Sequence, residues 1–213
     1  MTRQLGFLEE PGTKERVKAP SVVKRLNAEV RVRVEQVKIL VLDVDGVMTD
    51  GRLIYNDDGT ESKAFDVRDG HGIKMLNQAG IETALISGRS SPSVEKRAAD
   101  LGITEVAQGV RDKVPILKKI LSKKSLKLEE VAFVGDDVVD LNVMSRVGFA
   151  VVVADASEYL FDTAHYVTLA PGGRGAGAVE QGRSSLLRVR RPNPLCVNFR
   201  KPGAFSEFFF NPQ

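Results

Sequence analysis

Five short runs of β-branched and aliphatic residues recur along this chain, at 38–42, 81–86, 104–107, 131–134 and 149–153, with a weaker one at 165–169. A strand that is apolar on both faces must be covered on both faces, as in a parallel sheet flanked by helices. Helical spacing fills the gaps, at 70–79, 92–101, 112–124, 137–147 and, briefly, 157–163. Ser91 followed by Pro92 makes a helix start, and Gly80, Gly102 and Gly148 stand where helices need a left-handed closing residue. Strand alternating with helix at this spacing predicts an α/β fold with a doubly wound, mostly parallel, Rossmann-like sheet. The exception is 52–67, where 53–55 and 64–65 flank the turn residues 56–59 and predict a β-hairpin. No internal repeat is present.

Ligands in such sheets sit beyond the carboxyl ends of the strands. The residues that follow the first four runs are therefore the informative ones. Asp43 and Asp45 follow the first; two apart in extended chain, they point to one side. Two carboxylates that close need a proton or a cation between them. That pattern suits a nucleophile and an acid/base bridged by a hard metal, and equally a polar strand exit entering a turn. Ser87 and Arg89 follow the second run and could hold an anion at a helix entrance. Lys113 opens the helix after the third run, where a cation opposes the helix dipole unless an anion faces it. Asp136 and Asp137 follow the fourth run; Asp137 also fits a helix cap. Asp136 beside Asp43 and Asp45 would gather carboxylates of the kind that a divalent cation holds together.

Charge and cysteine usage limit the remaining classes. From Ala176 onward six basic residues stand against Glu180 and Glu207, so the formal charge of +3 belongs to the tail. A basic tail alone does not make the domain a nucleic-acid binder. The single Cys196 forms no internal disulfide, which fits a reducing compartment. The N-terminus mixes Glu, Lys and Arg without an apolar core, so no secretory signal is expected, and no run approaches membrane-spanning length. A cytoplasmic protein without a membrane partner is the expectation. Three regions are expected: a leader and surface helix (1–36), a catalytic domain (37–178) and an irregular, proline-rich C-terminal tail (179–213).

The order of the segments carries more than any one of them. Asp-x-Asp, then Ser, then Lys, then Gly-Asp-Asp, each at a strand exit, resembles the haloacid dehalogenase-like phosphatase superfamily over about residues 37–178. The resemblance implies a Mg²⁺-dependent phosphatase. In it Asp43 attacks phosphorus, Asp45 acts as acid and then base, and Ser87 and Lys113 hold the phosphoryl oxygens. Asp43, the backbone carbonyl of Asp45 and Asp136 would hold the metal. Residues 50–69 suffice for the hairpin and nothing larger, so no cap domain is expected.

At finer grain, LDVDGVMTDG (42–51), KAFDVRDGHGI (63–73), ISGR (86–89), LGIT (101–104), VGDD (134–137) and GGRGA (172–176) are similar to the capless, homotetrameric branch. That branch dephosphorylates 3-deoxy-D-manno-octulosonate 8-phosphate in lipopolysaccharide precursor synthesis. The similarity implies that Asp45, Asp66, Val67, Arg68, Asp69, Gly70, Lys74, Arg89, Arg97 and Lys113 meet a small phosphorylated sugar acid. It also implies that Arg174 lies near a neighbouring subunit's site and that hairpins from several subunits form a central barrel. Lys74 and Arg97, inside helices, also read as solvated surface, and His71 and His165 as packing residues. A nine-carbon sialic-type acid phosphate could use the same loop, and a non-catalytic tetrameric relative with a regulatory role is the alternative outside enzymes. After about Val179 the chain departs from the branch's pattern, and a shifted reading frame is one account of that change.

Overall fold

All four residues of β1 (Ile39–Leu42) are buried, so the strand demands cover on both faces. The computed structural model, which describes residues 28–176, supplies it. Leu40 and Leu42 pack into one apolar cluster with α1 (Ala28–Gln36), α2 (Val67–Gln78) and α3 (Pro92–Leu101). Ile39 and Val41 pack into a second cluster with α4 (Lys113–Lys124) and α5 (Leu141–Met144). The alternation follows from the two-residue side-chain period of a strand.

The remaining strands are β4 (Glu82–Ile86), β5 (Glu105–Ala107), β6 (Val131–Gly135), β7 (Phe149–Val152) and β8 (Tyr166–Val167), while β2 (Ile54–Tyr55) and β3 (Glu61–Ser62) form the separate hairpin. The six-stranded sheet runs β5-β4-β1-β6-β7-β8, and its described pairings are all parallel. The expected doubly wound sheet is borne out, and no cap domain interrupts the described residues. The chain winds from β1 through β4 to β5, then crosses to β6 on the other side of β1. Winding therefore reverses at β1, the place where such sheets open a crevice.

Three local expectations are corrected. Strand pairing in the hairpin ends at Ser62, so residues 64–65 are not its second arm. Phe65 instead packs against the core beneath the Arg97 guanidinium, 5.8 Å from its ring centre. Helix α2 begins at Val67 rather than at residue 70, because the Asp66 side chain accepts from the Arg68 N–H and caps it. The expected helix 137–147 shrinks to a 3₁₀ turn, Val138–Asp140, followed by the four residues of α5. Ser145 ends it, so Gly148 is not its cap. Gly148 instead passes the backbone of Glu129 so closely that a Cβ would collide with it.

Residues 1–27 and 177–213 lie outside the described residues, and with them the leader, the first seven residues of the surface helix expected over 21–36, Cys196 and the proline-rich tail. The described end of that helix is not wholly surface, since Val30 and Val34 are buried in the core. Among the described residues no helix is long and apolar enough to cross a membrane.

Candidate active site

The exits of β4, β1 and β6 lie side by side, and the polar segments that follow them meet there. Asp43 is buried directly after β1, its N–H donating to the Val134 carbonyl on β6 at 3.0 Å. Lys113, the first residue of α4, is 3 % exposed. Its ammonium donates to Asp43 Oδ1 at 2.7 Å and to Asp140 Oδ1 at 2.6 Å. It also lies 5.6 Å from the centre of the Phe133 ring. A buried lysine at a helix N-terminus is unfavourable twice over, by desolvation and by the dipole. Two carboxylates offset both penalties here, and their charges raise the lysine's pKa although burial pulls it down.

Asp136 completes the cluster. Asp43, Asp136 and Asp140 each offer a carboxylate oxygen, and these oxygens lie within 4.8 Å of one another. One ammonium does not balance three carboxylates. Burial, partly offset by Lys113 and reinforced by Asp140, pushes the Asp43 carboxyl up to about 6. Burial, then Asp43, Asp140 and Asp137, push Asp136 up to about 8. All the donors are hard oxygens, the set that Mg²⁺ prefers, and the charge imbalance is of the sign a divalent cation corrects. The residues therefore fit the metal. Asp140 is absent from the residues singled out in the sequence, yet it is fully buried and its Oδ2 accepts from the Asp136 N–H at 3.2 Å. Its position four residues after Asp136, on the same side of a helical turn, was the available signal.

Asp45 does not join that carboxylate cluster. Its Oδ1 is held by the ammonium of Lys63, while its Oδ2 is buried and accepts no hydrogen bond. Lys63, likewise not singled out, is 2 % exposed at its side chain and lies 3.9 Å from Glu61 Oε2. Glu61 in turn binds the Arg89 guanidinium, so the sequence-derived Arg89 reaches the site through the hairpin. Ser87 is buried at the β4 exit, its Oγ accepting from the Arg89 N–H at 3.2 Å.

The loop after Asp43 is held from within and from outside. Thr49 Oγ1 accepts from Gly46 N–H and Gly51 N–H and donates to the Val44 carbonyl. Gly172 and Gly173 press onto it so closely that a Cβ on either would overlap the backbone of Gly46 or Thr49. The Gly173 N–H donates to the Val47 carbonyl at 2.9 Å. Thus the GGRGA segment buttresses its own chain's loop.

The other expected contacts form a rim around the start of α2. Asp66 pairs with Arg68, whose guanidinium holds its carboxyl below the usual range, with a smaller contribution from Arg174. Asp69 and Gly70 are buried, Asp69 accepting from the Gly175 N–H at 3.3 Å. Arg97 donates to the Asp66 carbonyl at 3.0 Å and lies against Gly70, where a Cβ would strike its guanidinium. Val67, Lys74 and Arg174 are exposed, and no described contact brings Lys74 to the cluster. His71 is exposed, whereas His165 Nδ1 accepts from the Ala150 N–H at 2.9 Å, a contact that ties down the end of the sheet.

Comparison with known proteins bears on this arrangement. Residues 102–171 match the model of a haloacid dehalogenase-like hydrolase family. The 3-deoxy-D-manno-octulosonate 8-phosphate phosphatase KdsC of Escherichia coli K12 is 46 % identical over 151 residues, 71 % of this chain and 80 % of that protein. The crystal structure of the phosphatase of the same name from Yersinia pestis superposes with a TM-score of 0.69 at 45 % identity, covering 70 % of this chain and 81 % of that one. A third relative, from Moraxella catarrhalis, was crystallised with magnesium, phosphate and KDO; it is 40 % identical, with a TM-score of 0.69 over 70 % of this chain and 86 % of its own.

Proposed function

Because the chain belongs to the 3-deoxy-D-manno-octulosonate 8-phosphate phosphatases within the haloacid dehalogenase-like hydrolases, and is thus a phosphoric monoester hydrolase, we propose that it converts that sugar-acid phosphate to the free acid and phosphate with Mg²⁺. The observation that carries this reading is the buried group of Asp43, Lys113, Asp136 and Asp140 at the reversal point of the sheet.

Asp43 attacks phosphorus, forming one P–O bond as the bond to the sugar oxygen breaks. Asp45 gives its proton to that oxygen as it leaves. The same carboxylate then takes a proton from water as the water's oxygen attacks the aspartyl-phosphate, which returns Asp43 and releases inorganic phosphate. Ser87 and Lys113 hold the phosphoryl oxygens in line, and Lys113 is fixed for this by its two carboxylates. Asp43, Asp136 and the Asp45 backbone carbonyl would hold Mg²⁺, with Asp140 supporting Asp136 and Lys113. When bound, Mg²⁺ would supply positive charge that offsets the carboxylates and the phosphoryl oxygens. Positioning and charge neutralisation of this kind provide most of the acceleration in phosphoryl transfer.

The open rim is read as the substrate's sugar-acid side: Asp66, Val67, Arg68, Asp69 and Gly70, with Arg89, Arg97, Lys74 and Arg174 supplying positive charge toward a carboxylate. Without a cap, water reaches the site unless something else covers it. A homotetramer whose subunits complete each other's sites meets that need, and the exposed hairpin residues Leu53, Ile54 and Tyr55 support it. The reaction belongs in the cytoplasm, in lipopolysaccharide precursor synthesis, and the catalytic domain is residues 37–178.

The test is phosphate release from eight- and nine-carbon sugar-acid phosphates, with Mg²⁺ and after EDTA treatment. Fast turnover of the eight-carbon ester, lost with EDTA and restored by Mg²⁺, is expected. Equal, slow rates across the panel would refute a dedicated enzyme, and a preference for the nine-carbon ester would move the substrate.

A further inference from the structure

The Asp45 carboxylate has one oxygen engaged and one free. Lys63 grips Oδ1, while Oδ2 is buried and accepts no hydrogen bond. A carboxyl that must donate a proton in one step and accept one in the next needs a fixed direction as well as a free oxygen. A short side chain on a loop does not fix that direction by itself. The residue that does so here comes from the far arm of the hairpin, immediately after β3.

The cost of placing Lys63 there is substantial. Its side chain is 2 % exposed, and an ammonium loses much of its hydration on burial. A tie that merely fastened the hairpin to the loop could be apolar at lower cost. The charge is offset by an alternating series: Asp45, Lys63, Glu61, Arg89. Glu61 sits at the centre of it, with one oxygen on Arg89 and the other 3.9 Å from Lys63. The series therefore runs from the leaving-group acid to the guanidinium at the β4 exit without net charge.

We propose that Lys63 is a positioning residue for this reaction, aiming the free oxygen of Asp45 at the oxygen that leaves phosphorus. The inference rests on the reading of Asp45 as acid and base given above. Lys63 itself exchanges no proton and touches no phosphoryl oxygen. Its effect falls on the step in which the sugar oxygen leaves, and it scales with how much that oxygen needs a proton.

That dependence gives the test. An alkyl phosphate has a leaving oxygen that must be protonated, whereas p-nitrophenolate leaves as a stable anion. kcat/KM reports the steps up to the aspartyl-phosphate for both esters. The ratio of the two kcat/KM values, taken on one preparation, is independent of how much of a variant has folded. In Lys63→Met and Lys63→Gln, kcat/KM for the sugar-acid phosphate should fall ~10²-fold, the scale of lost general-acid catalysis. The value for p-nitrophenyl phosphate should stay within a few-fold of wild type. Equal losses on both esters would make Lys63 merely structural and overturn the proposal, as would an unchanged ratio. If the wild type prefers a different alkyl phosphate, the substrate reading fails and the same ratio is taken on that ester, so the two failures are distinguishable.

Discussion

Asp43 illustrates how far single residues could be read. Its place after an apolar run, with Asp45, Ser87, Lys113 and Asp136 at matching exits, was visible in the chain. The partners that pin these groups were not. Asp140 lay within the expected helix 137–147 and Lys63 opened the KAFDVRDGHGI stretch, neither with a role of its own. Each acquires its meaning from a contact across the fold, to Lys113 and to Asp45 respectively. The pKa shifts belong to this scale and give a prediction. In the metal-free protein Asp43 and Asp136 hold protons up to about 6 and about 8, whereas in the unfolded chain they release them near 3.8. Between those values the folded state binds more protons, so stability falls as pH rises. Mg²⁺ competes with these protons. The rise in melting temperature on adding Mg²⁺ should therefore be larger near pH 8 than near about pH 5. Thermal melts at both values, with and without the metal, check it; an equal rise would contradict the placement of the metal at this cluster.

Elements with a strong pattern were legible, and those set by tertiary contact were less so. β1 and β6 announce themselves as wholly apolar runs, since a strand buried on both faces can contain little else, and β4 becomes one after an exposed Glu82 and a buried Thr83. The hairpin was legible as a turn but not in its second arm, because Phe65 leaves the pairing to fill space beside the core. The helix after Asp136 was overread for a related reason. Asp140 turns its side chain back to the Asp136 N–H and Lys113, and the backbone that permits this is a 3₁₀ turn. The GGRGA segment could be quoted from the chain, but not its packing on the Gly46 loop. Gly172→Ala would drive a Cβ into the Gly46 carbonyl and displace that loop. A shift of about 1 Å at a reacting group costs ~10²-fold in rate. The variant should lose kcat on that scale while its circular dichroism spectrum remains that of an α/β protein. Wild-type kcat would show that the segment does not buttress the site.

At the scale of the whole molecule, the described residues form an α/β unit without a cap, and the proposed catalytic cluster lies in an incomplete enclosure. The hairpin is short, its strands are two residues each, and it presents Ile54 and Tyr55 to solvent. Ile54→Asp with Tyr55→Asp should break the proposed homotetramer into smaller species in sedimentation. KM for the sugar-acid phosphate should rise as the shared rim is lost. An unchanged tetramer with unchanged KM would remove the hairpin from the interface. The central claim, that Asp43 carries the phosphoryl group, is tested most directly by acid quench during turnover and mass mapping of the peptides. A phosphoryl group should appear on the peptide that contains Asp43 and be absent, with turnover, in Asp43→Asn. A phosphoryl group on another residue, or turnover retained in Asp43→Asn, would contradict it.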